Sequence, residues 1–222
     1  MGKLIVIEGT DGSGKSTQFK RLTEHLTADR QEFKTLVFPR YSGPSSAMIR
    51  MYMGGEFGTK PSDVNAYAAS TIYAVDRYAS YKQDWGQWYE SGGLIVSDRY
   101  TTSNAVHQAS KEPKEKQPEF LKWLYDLEYE RLGLPRPDLT LFLDVPTDFT
   151  EKLLRGREAA TNTHADIHEK DMHYLATCRE TGRAAADFYG WTVIECVKNG
   201  QMRSIEDIHE EIYRHVRYCL EE

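Results

Sequence analysis

Cysteine is scarce in this sequence, and long apolar runs are missing from it. The three cysteines, Cys178, Cys196 and Cys219, lie far apart and without the spacing of metal ligands, so reduced thiols are the simplest account of them. No apolar stretch approaches the length needed to span a membrane, and the chain starts without the basic segment, apolar stretch and cleavage site of a signal peptide. We therefore expect a cytoplasmic protein without a membrane anchor.

An excess of positive charge is also absent. The chain has 28 Lys and Arg against 34 Asp and Glu, for a net charge of −6. Nonspecific binding to nucleic acid or to anionic membranes depends on clustered Lys and Arg, so we expect neither partner. Any anionic ligand has to be held by a few local cations. With 222 residues and no repeat, low-complexity tract or linker, the sequence predicts a single domain over residues 1–222.

The most specific motif present is a phosphate-binding loop. Gly9, Gly14, Lys15 and Ser16 fit the pattern G-x-x-x-x-G-K-[ST]. An apolar segment that predicts a strand precedes the motif, and helical spacing follows it, which is the context that supports such a match. The predicted ATP and phosphate-binding residues are Gly9, Thr10, Asp11, Gly12, Ser13, Gly14, Lys15, Ser16 and Thr17.

The chemistry of phosphate binding explains this spacing. Glycines allow a tight turn that brings several backbone N–H groups toward one anion, and the following helix directs the positive end of its dipole to the same place. Lys15 adds a cation for the β- and γ-phosphates, and the Ser16 hydroxyl can join the ligands of Mg²⁺.

Apolar runs and helical patterns alternate along the whole chain. Predicted strands cover residues 3–8, 34–38, 93–97, 138–145 and 191–196. Predicted helices cover residues 16–30, 66–81, 101–109, 120–132, 147–157, 166–188 and 205–220. Residues 42–58 predict a loop with a short helix, and residues 111–117 a charged, solvated loop. The alternation favours an α/β fold with one doubly wound parallel sheet and right-handed crossovers.

Polar residues follow two of the predicted strands. Arg40 and Tyr41 come after the second strand, and Asp98 and Arg99 come after the third. Open α/β sheets bind ligands at the carboxyl ends of their strands, which favours a phosphate or metal site here. For Asp98, capping of the next helix is an equally good interpretation. That alternative does not explain Arg99.

Two predicted helices carry further candidates. Tyr73 and Arg77 share one face of their helix, where a tyrosine stripe is more often ordinary core packing. A buried Arg77, however, requires an anion or a carboxylate beside it. Asn104 in the next predicted helix, followed by Gln108, offers amide groups suited to the edge of a base, whereas His107 has no obvious partner.

A pair of arginines lies at the end of a later predicted helix. Arg155 and Arg157 lead into the polar residues 158–164. Such a segment can form a lid that closes positive charge over phosphates. An exposed and solvated pair of arginines is the competing interpretation, and composition alone favours it.

Taken together, the motifs resemble the thymidylate kinase family, a branch of the nucleoside monophosphate kinases with a phosphate loop. The resemblance rests on the loop, on Phe38-Pro39-Arg40-Tyr41, on Tyr73 with Asp76-Arg77, and on Asp98-Arg99-Tyr100 followed by Asn104. It implies a sheet with strand order 2-3-1-4-5 and a mobile lid at about residues 155–168. It further implies transfer of the γ-phosphoryl group of ATP to dTMP with Mg²⁺, giving dTDP and ADP for dTTP biosynthesis, in a homodimeric enzyme.

The resemblance also implies roles for individual residues. The expected catalytic residues are Lys15, Arg99, Arg155 and Arg157, and the expected metal site is formed by Ser16 and Asp98. Asp11 is expected to accept a hydrogen bond from the 3′-hydroxyl of the acceptor nucleotide. The expected substrate-binding residues are Asp11, Phe38, Arg40, Tyr41, Tyr73, Arg77, Arg99, Asn104 and His107.

The chain departs from the family pattern at three positions. One branch of the family has an arginine directly after the acidic residue of the loop, where this chain has Gly12. The other branch often has an arginine in the lid at the position of Ile167. Family members commonly have an aromatic residue near carbon 2′ of the sugar where this chain has His107. A ring that can form hydrogen bonds would discriminate less against ribose. The resemblance therefore implies a preference for deoxyribose that His107 could weaken.

Two other functions stay open at the level of sequence. A deoxynucleoside kinase needs a carboxylate base near the 5′-hydroxyl of its substrate, and Glu8 is the candidate for that base. A nucleotide-binding protein without catalytic activity is the second alternative. Turnover with nucleosides and not with monophosphates would indicate the deoxynucleoside kinase. No turnover with either would indicate the binding protein.

Overall fold

One parallel sheet organises the structure, with the strand before the phosphate loop at its centre. The computed structural model describes residues 1–151, 153–154 and 172–221. Within these segments five strands form a parallel sheet in the order β2-β3-β1-β4-β5, which confirms the predicted order. The strands are β1 (Lys3–Glu8), β2 (Phe33–Val37), β3 (Leu94–Asp98), β4 (Leu139–Asp144) and β5 (Thr192–Glu195). The predicted lid, with Arg155, Arg157, Asp166 and Ile167, lies outside the described residues.

The central strand is buried because helices cover both faces of the sheet. Leu4, Ile5, Val6 and Ile7 have no exposed surface. β1 pairs in parallel with β3 on one side and with β4 on the other. A strand buried on both faces has to be apolar throughout rather than alternating, which is the pattern seen in the sequence.

Helices follow the strands and supply both outer layers. The longer helices are α1 (Lys15–Ala28), α2 (Ala47–Met53), α3 (Ala66–Ser80), α4 (Gly86–Glu90), α5 (Thr102–His107), α6 (Gln117–Tyr125), α7 (Met172–Tyr189) and α8 (Ile205–Glu221). Residues 147–151 and 153–154 are also helical. None of the helices in the described segments is long and apolar enough to cross a membrane.

The core has a separate cluster on each face of the sheet. On one face, Leu22 and Leu26 of α1 pack with Ile212 and Val216 of α8 against the strands. On the other face the packing is largely aromatic, with Trp85, Tyr89 and Tyr100 around β1 and β3. Burying an aliphatic or aromatic side chain contributes about 1.5–3 kcal/mol to folding stability. Both clusters therefore hold the helices firmly against the strands.

The predicted helix over residues 120–132 is wrong in its second half. α6 ends at Tyr125, and a π-helical turn covers Asp126–Arg131. The wider turn allows Glu128, with 0% of its surface exposed, to point into the protein. Sequence patterns do not reveal this because the 3.6-residue period of the α-helix is lost there.

Two smaller predictions also need correction. Residues 111–117 were expected to form a loop, but they include a 3₁₀ turn, Lys114–Lys116, and the start of α6. After β5 the chain forms an additional antiparallel hairpin, β6 (Val197–Lys198) with β7 (Gln201–Met202). These strands are too short to show an alternating pattern in the sequence.

Candidate active site

The phosphate loop turns tightly between β1 and α1. Gly12 and Gly14 have φ values of 77° and 83°, in the left-handed region that side chains disfavour. At Gly12 a Cβ atom would also lie 2.8 Å from Cγ of Leu154 and 2.9 Å from Cγ2 of Thr150. This crowding explains physically why the chain has glycine, rather than arginine, at this position.

Lys15 lies at the N-terminus of α1 and is almost completely buried. Its Nζ donates to the carbonyl of Thr10 at 2.9 Å and lies 3.9 Å from Oδ1 of Asp11. Burial lowers the pKa of Lys15, and the Arg99 charge lowers it further, while Asp11 and Asp98 act in the opposite direction. A cation that water solvates poorly interacts more strongly with an anion that enters the site.

Ser16 and Asp98 meet where α1 begins and β3 ends. The Ser16 hydroxyl donates to Oδ2 of Asp98 at 3.4 Å, a weak and long hydrogen bond. Oδ1 of Asp98 is buried and has no hydrogen-bond partner in the part of the chain that the structure describes. An unpaired carboxylate oxygen beside a loop hydroxyl is a donor set that Mg²⁺ accepts, so these residues fit the expected metal.

Arg99 has a left-handed backbone, with a φ of 66°. Such a conformation is costly for a residue with a side chain and is often kept at functional sites. Its guanidinium forms an ion pair with Asp11 and approaches Glu8 at 3.4 Å, Ser103 at 3.3 Å and His107 at 3.0 Å. Burial would lower the pKa of Arg99, but the Asp11 and Glu8 carboxylates outweigh it and raise the pKa.

Glu8 anchors this group of side chains from the end of β1. Its carboxylate accepts hydrogen bonds from the backbone N–H of Gly9 at 2.9 Å and from the Thr102 and Ser103 hydroxyls at 2.7 Å each. Arg99 is a further donor. Because these donors surround a carboxylate with no exposed surface, Glu8 fixes the position of α5 relative to the phosphate loop.

A cavity of about 510 Å³ extends from the phosphate loop between β2, β3, α3 and α5. It brings together most of the predicted site residues. Those that line it are Asp11, Gly12, Gly14, Lys15, Ser16, Thr17, Phe38, Tyr41, Tyr73, Arg77, Asp98, Arg99, Asn104 and His107. The sequence motifs therefore converge on one space, although their individual roles stay predictions.

Part of the cavity lining is aromatic and amide-rich. Phe38 packs against Tyr100 with ring centroids 5.9 Å apart, and the Tyr73 hydroxyl contacts the sulfur of Met53 at 3.3 Å. Gln108 also lines the cavity, and its Oε1 is buried without a partner in the described segments. A flat ligand with polar edges suits such a lining.

Arg77 is buried beside a carboxylate, as its sequence context requires. Its Nε donates to Oε2 of Glu128 at 2.8 Å, and its Nη2 donates to Oε1. Burial would lower the pKa of Arg77, but the charge of Glu128 and its hydrogen bond raise it. Oε1 of Glu128 also accepts from the Asn104 amide at 3.1 Å. Arg77 is therefore a permanent cation in the wall of the cavity.

Arg40 does not join the other predicted residues in the cavity. Its backbone N–H donates to Asp76 at 2.9 Å, and its guanidinium pairs with Asp84 and donates to the Ser45 hydroxyl at 3.2 Å. Gly9, Thr10 and Ser13 belong to the loop but do not line the cavity either. The expectation that Arg40 surrounds an anion stays a prediction.

Several lining residues had no signal in the sequence. Met53 lies within residues 42–58, where the sequence predicts a loop with a short helix but does not single out this residue, and Ser103 lies between two stronger candidates. Glu128, which does not line the cavity, is positioned by the π-helical turn. The only sequence signal for Glu128 was indirect, in the need of Arg77 for a counter-ion.

Known proteins similar to this chain match it over most of its length. The model of the family described as thymidylate kinase matches residues 7–212. Thymidylate kinase from Mycobacterium tuberculosis is 34% identical over 194 residues, which cover 85% of this chain and 87% of the relative. Human thymidylate kinase is 28% identical over 216 residues, with 95% and 88% covered.

A solved structure supports the fold independently. The chain superposes on thymidylate kinase from Candida albicans with a TM-score of 0.73, covering 98% of this chain and 92% of that one, at 21% sequence identity. At this identity the similarity concerns the fold alone. The family match over residues 7–212, together with the 34% identical relative, decides the assignment. This chain belongs to the thymidylate kinase family.

Proposed function

We infer that this protein transfers the γ-phosphoryl group of ATP to dTMP, giving dTDP and ADP. One observation carries this conclusion: the phosphate loop with Lys15 and the aromatic and amide residues around Tyr73 and Asn104 line one cavity. Two nucleotides can meet there with their phosphates facing each other. Family membership supports both the donor and the acceptor.

Phosphoryl transfer requires alignment and charge neutralisation more than covalent help from the protein. The ionised phosphate of dTMP is itself the nucleophile, so no general base is needed. We propose that Lys15 holds the phosphates of ATP and that Arg99 holds the phosphate of the acceptor. Asp11, already paired with Arg99, would accept from the 3′-hydroxyl of dTMP.

The acceptor base is proposed to lie between Phe38 and Tyr73, with Arg77 and Asn104 at its polar edge. Support comes from the burial of Phe38 and Asn104 and from the position of all four residues around one cavity. Tyr41 and His107 lie nearer to the sugar and phosphate in this arrangement. Arg40 would have to exchange Asp84 for the acceptor phosphate to take part.

We propose that Ser16 and Asp98 hold Mg²⁺. The metal would supply charge neutralisation for the transferring phosphoryl group. The unpaired Oδ1 of Asp98 supports this assignment. Arg155 and Arg157 are proposed as lid residues from the family resemblance, and they lie outside the described residues.

We further propose that the chain is a single domain that acts in the cytoplasm as a homodimer. Support for a dimer comes from apolar side chains at the surface of α2 and α3, where Met48 is 52% exposed and Val75 is 54% exposed. Light scattering with size-exclusion chromatography tests this proposal. A monomer at micromolar concentration would contradict it.

The geometry of Glu8 argues against a nucleoside as the acceptor. A base for a 5′-hydroxyl needs a free carboxylate oxygen that faces the substrate. The Glu8 carboxylate accepts hydrogen bonds from Gly9, Thr102 and Ser103 and has no exposed surface. It is built as an anchor rather than as a base.

A coupled assay of ADP formation with a panel of acceptors tests the proposed function. Turnover with dTMP is expected, and little or none is expected with thymidine. Turnover with nucleosides alone would indicate a deoxynucleoside kinase. No turnover with any acceptor, combined with tight nucleotide binding, would indicate a binding protein without catalysis.

A further inference from the structure

A buried carboxylate behind the cavity wall connects two of the residues that line the cavity. Glu128 has no exposed surface and lies in the π-helical turn Asp126–Arg131. It accepts from Nε and Nη2 of Arg77 and from Nδ2 of Asn104. A counter-ion for Arg77 alone would need only the first two of these bonds. The third bond therefore calls for a separate explanation.

The hydrogen bonds of Asn104 fix which way its amide points. Nδ2 carries both N–H groups of the side chain, and these are given to Oε1 of Glu128 at 3.1 Å and to the carbonyl of Ser70 at 3.2 Å. Rotating the amide by half a turn would place Oδ1 against two acceptors and leave both without a donor. Oδ1 is therefore the end of the amide left for a ligand in the cavity that Asn104 lines.

Arg77 is fixed in a complementary way. Of its five N–H groups, two go to Glu128 and one to the carbonyl of Tyr100 at 3.4 Å. The remaining groups can donate to a ligand, because Arg77 also lines the cavity. Glu128 thus orients one acceptor, Oδ1 of Asn104, and one donor, the Arg77 guanidinium, on the same wall.

We propose that Glu128 is a positioning residue that makes this wall select a pyrimidine with a keto group at position 4, as in thymine, over one with an amino group there, as in cytosine. Thymine has a donor at N3 and an acceptor at O4, which match Oδ1 of Asn104 and the guanidinium of Arg77. Cytosine has an acceptor at N3 and a donor at its amino group, so both contacts become unfavourable. The inference rests on the proposed function in taking a nucleotide base as the ligand of this wall.

The selectivity depends on a carboxylate rather than on any acceptor. In Glu128→Gln, one end of the new amide carries donors and would oppose either Arg77 or Asn104. Asn104 is then released to rotate and can offer Nδ2 to the cavity, which suits N3 of cytosine. A site built for one arrangement of donors and acceptors rejects a base with the opposite arrangement by large factors. Loss of that arrangement in the variant should therefore change the ratio of kcat/KM for dTMP to kcat/KM for dCMP, and not only lower both values.

The test compares wild type with Glu128→Gln in binding and in turnover. Dissociation constants for dTMP and dCMP are measured by calorimetry, and kcat/KM for both by ADP release. We expect the preference for dTMP over dCMP to fall by about tenfold or more in Glu128→Gln, which corresponds to about 1.4 kcal/mol. Glu130→Gln, in the same turn, is the matched control, because its side chain is 51% exposed and pairs with Arg136. It should keep the wild-type preference.

A merely structural role gives a different result. If folded Glu128→Gln loses affinity and turnover equally for both nucleotides, the preference is unchanged and the proposal is overturned. Absence of dTMP turnover in the wild type would refute the proposed function instead, and the calorimetric ratio would still decide the role of Glu128.

A reciprocal exchange covers the case in which Glu128→Gln does not fold. Asn104→Asp combined with Glu128→Gln keeps one carboxylate and one amide but reverses which of them donates. An acceptor oxygen at position 104 still faces the cavity, although the carbonyl of Ser70 loses its donor. We therefore expect weaker binding of both nucleotides but a preference for dTMP within about threefold of the wild type. Loss of the preference in the folded exchange variant would overturn the proposal.

Discussion

The Ser16 hydroxyl, in the first turn of α1, lies 3.4 Å from Oδ2 of Asp98, the last residue of β3. This contact joins two neighbouring strand ends of the sheet, since β1 leads into the phosphate loop and pairs with β3. Oδ1 of the same carboxylate has no partner among the described residues. The arrangement leads to a prediction about metal dependence.

Asp98→Asn is expected to raise the Mg²⁺ concentration for half-maximal activity by about 10-fold to 100-fold, because the amide cannot supply the negative charge that holds the metal and its waters. ADP formation titrated with MgCl₂ measures this. Asp126→Asn, at a side chain 48% exposed and paired with Arg131, is the control. An unchanged Mg²⁺ requirement in Asp98→Asn would remove Asp98 from the metal site.

Lys15→Ala is expected to lower kcat by about 10²-fold to 10³-fold or more, because the variant loses the buried cation that we propose holds the phosphates of ATP. Circular dichroism should show an unchanged fold. Lys20→Ala, at a side chain 77% exposed on the same helix, should behave as the wild type. Persistent dTMP-dependent ADP formation by pure and folded Lys15→Ala would contradict the role of Lys15.

Asn104→Ala is expected to raise the KM for dTMP far more than the KM for ATP, because Asn104 lines the cavity and is proposed to contact the base of dTMP. Steady-state kinetics with each substrate varied in turn gives both constants. Equal changes in the two would place Asn104 outside base recognition.

Leu22→Ala is expected to lower the free energy of unfolding by about 2–5 kcal/mol, because it opens a cavity in the cluster between α1 and α8. Urea unfolding followed by circular dichroism measures the change. Glu24→Ala, at a side chain 58% exposed on the same helix, should change stability by less than about 0.5 kcal/mol. A loss below about 1 kcal/mol in Leu22→Ala would contradict the packing described for this cluster.

The lowered pKa of Lys111 leads us to expect that the stability of the protein depends on pH. Burial lowers its pKa from 10.5 to about 8, although its Nζ donates to the Tyr52 hydroxyl at 3.0 Å and to the carbonyl of Val64 at 2.9 Å. Between these two pKa values the unfolded chain binds the proton and the folded chain does not. The contribution of Lys111 to stability therefore rises as the pH increases from about 8 to 10.5.

The measurement compares wild type with Lys111→Met in urea at several pH values across this window. The stability of the wild type minus that of the variant should increase with pH. A constant difference would show that Lys111 keeps an ordinary pKa in the folded protein.

Much of the site could be predicted because its parts carry local signals. The phosphate loop needs glycine at fixed positions, as the left-handed backbone of Gly12 and Gly14 shows. Asp98 ends an apolar strand and Arg99 directly follows it, at the carboxyl end of the strand. Such features depend on a few consecutive residues, so the sequence displays them.

The rest depends on contacts between distant segments. Arg77 signalled the need for a carboxylate, but nothing nearby identified Glu128, which is 51 positions away and enters the core through a π-helical turn. Arg40 is a second example, because its side chain pairs with Asp84, 44 positions away, and nothing in its motif identifies that partner. Pairings of this kind follow from packing, which periodicity does not encode.

The anchoring of α5 by Glu8 has a thermodynamic consequence. Thr102 and Ser103 bond to the last residue of β1, while Asn104 and His107 of the same short helix line the cavity where we propose that the acceptor binds. The same carboxylate accepts from the backbone N–H of Gly9, so a displacement of α5 would disturb a group that also holds the phosphate loop. The two substrates should therefore bind with a shared coupling energy, each altering the affinity of the other by the same factor.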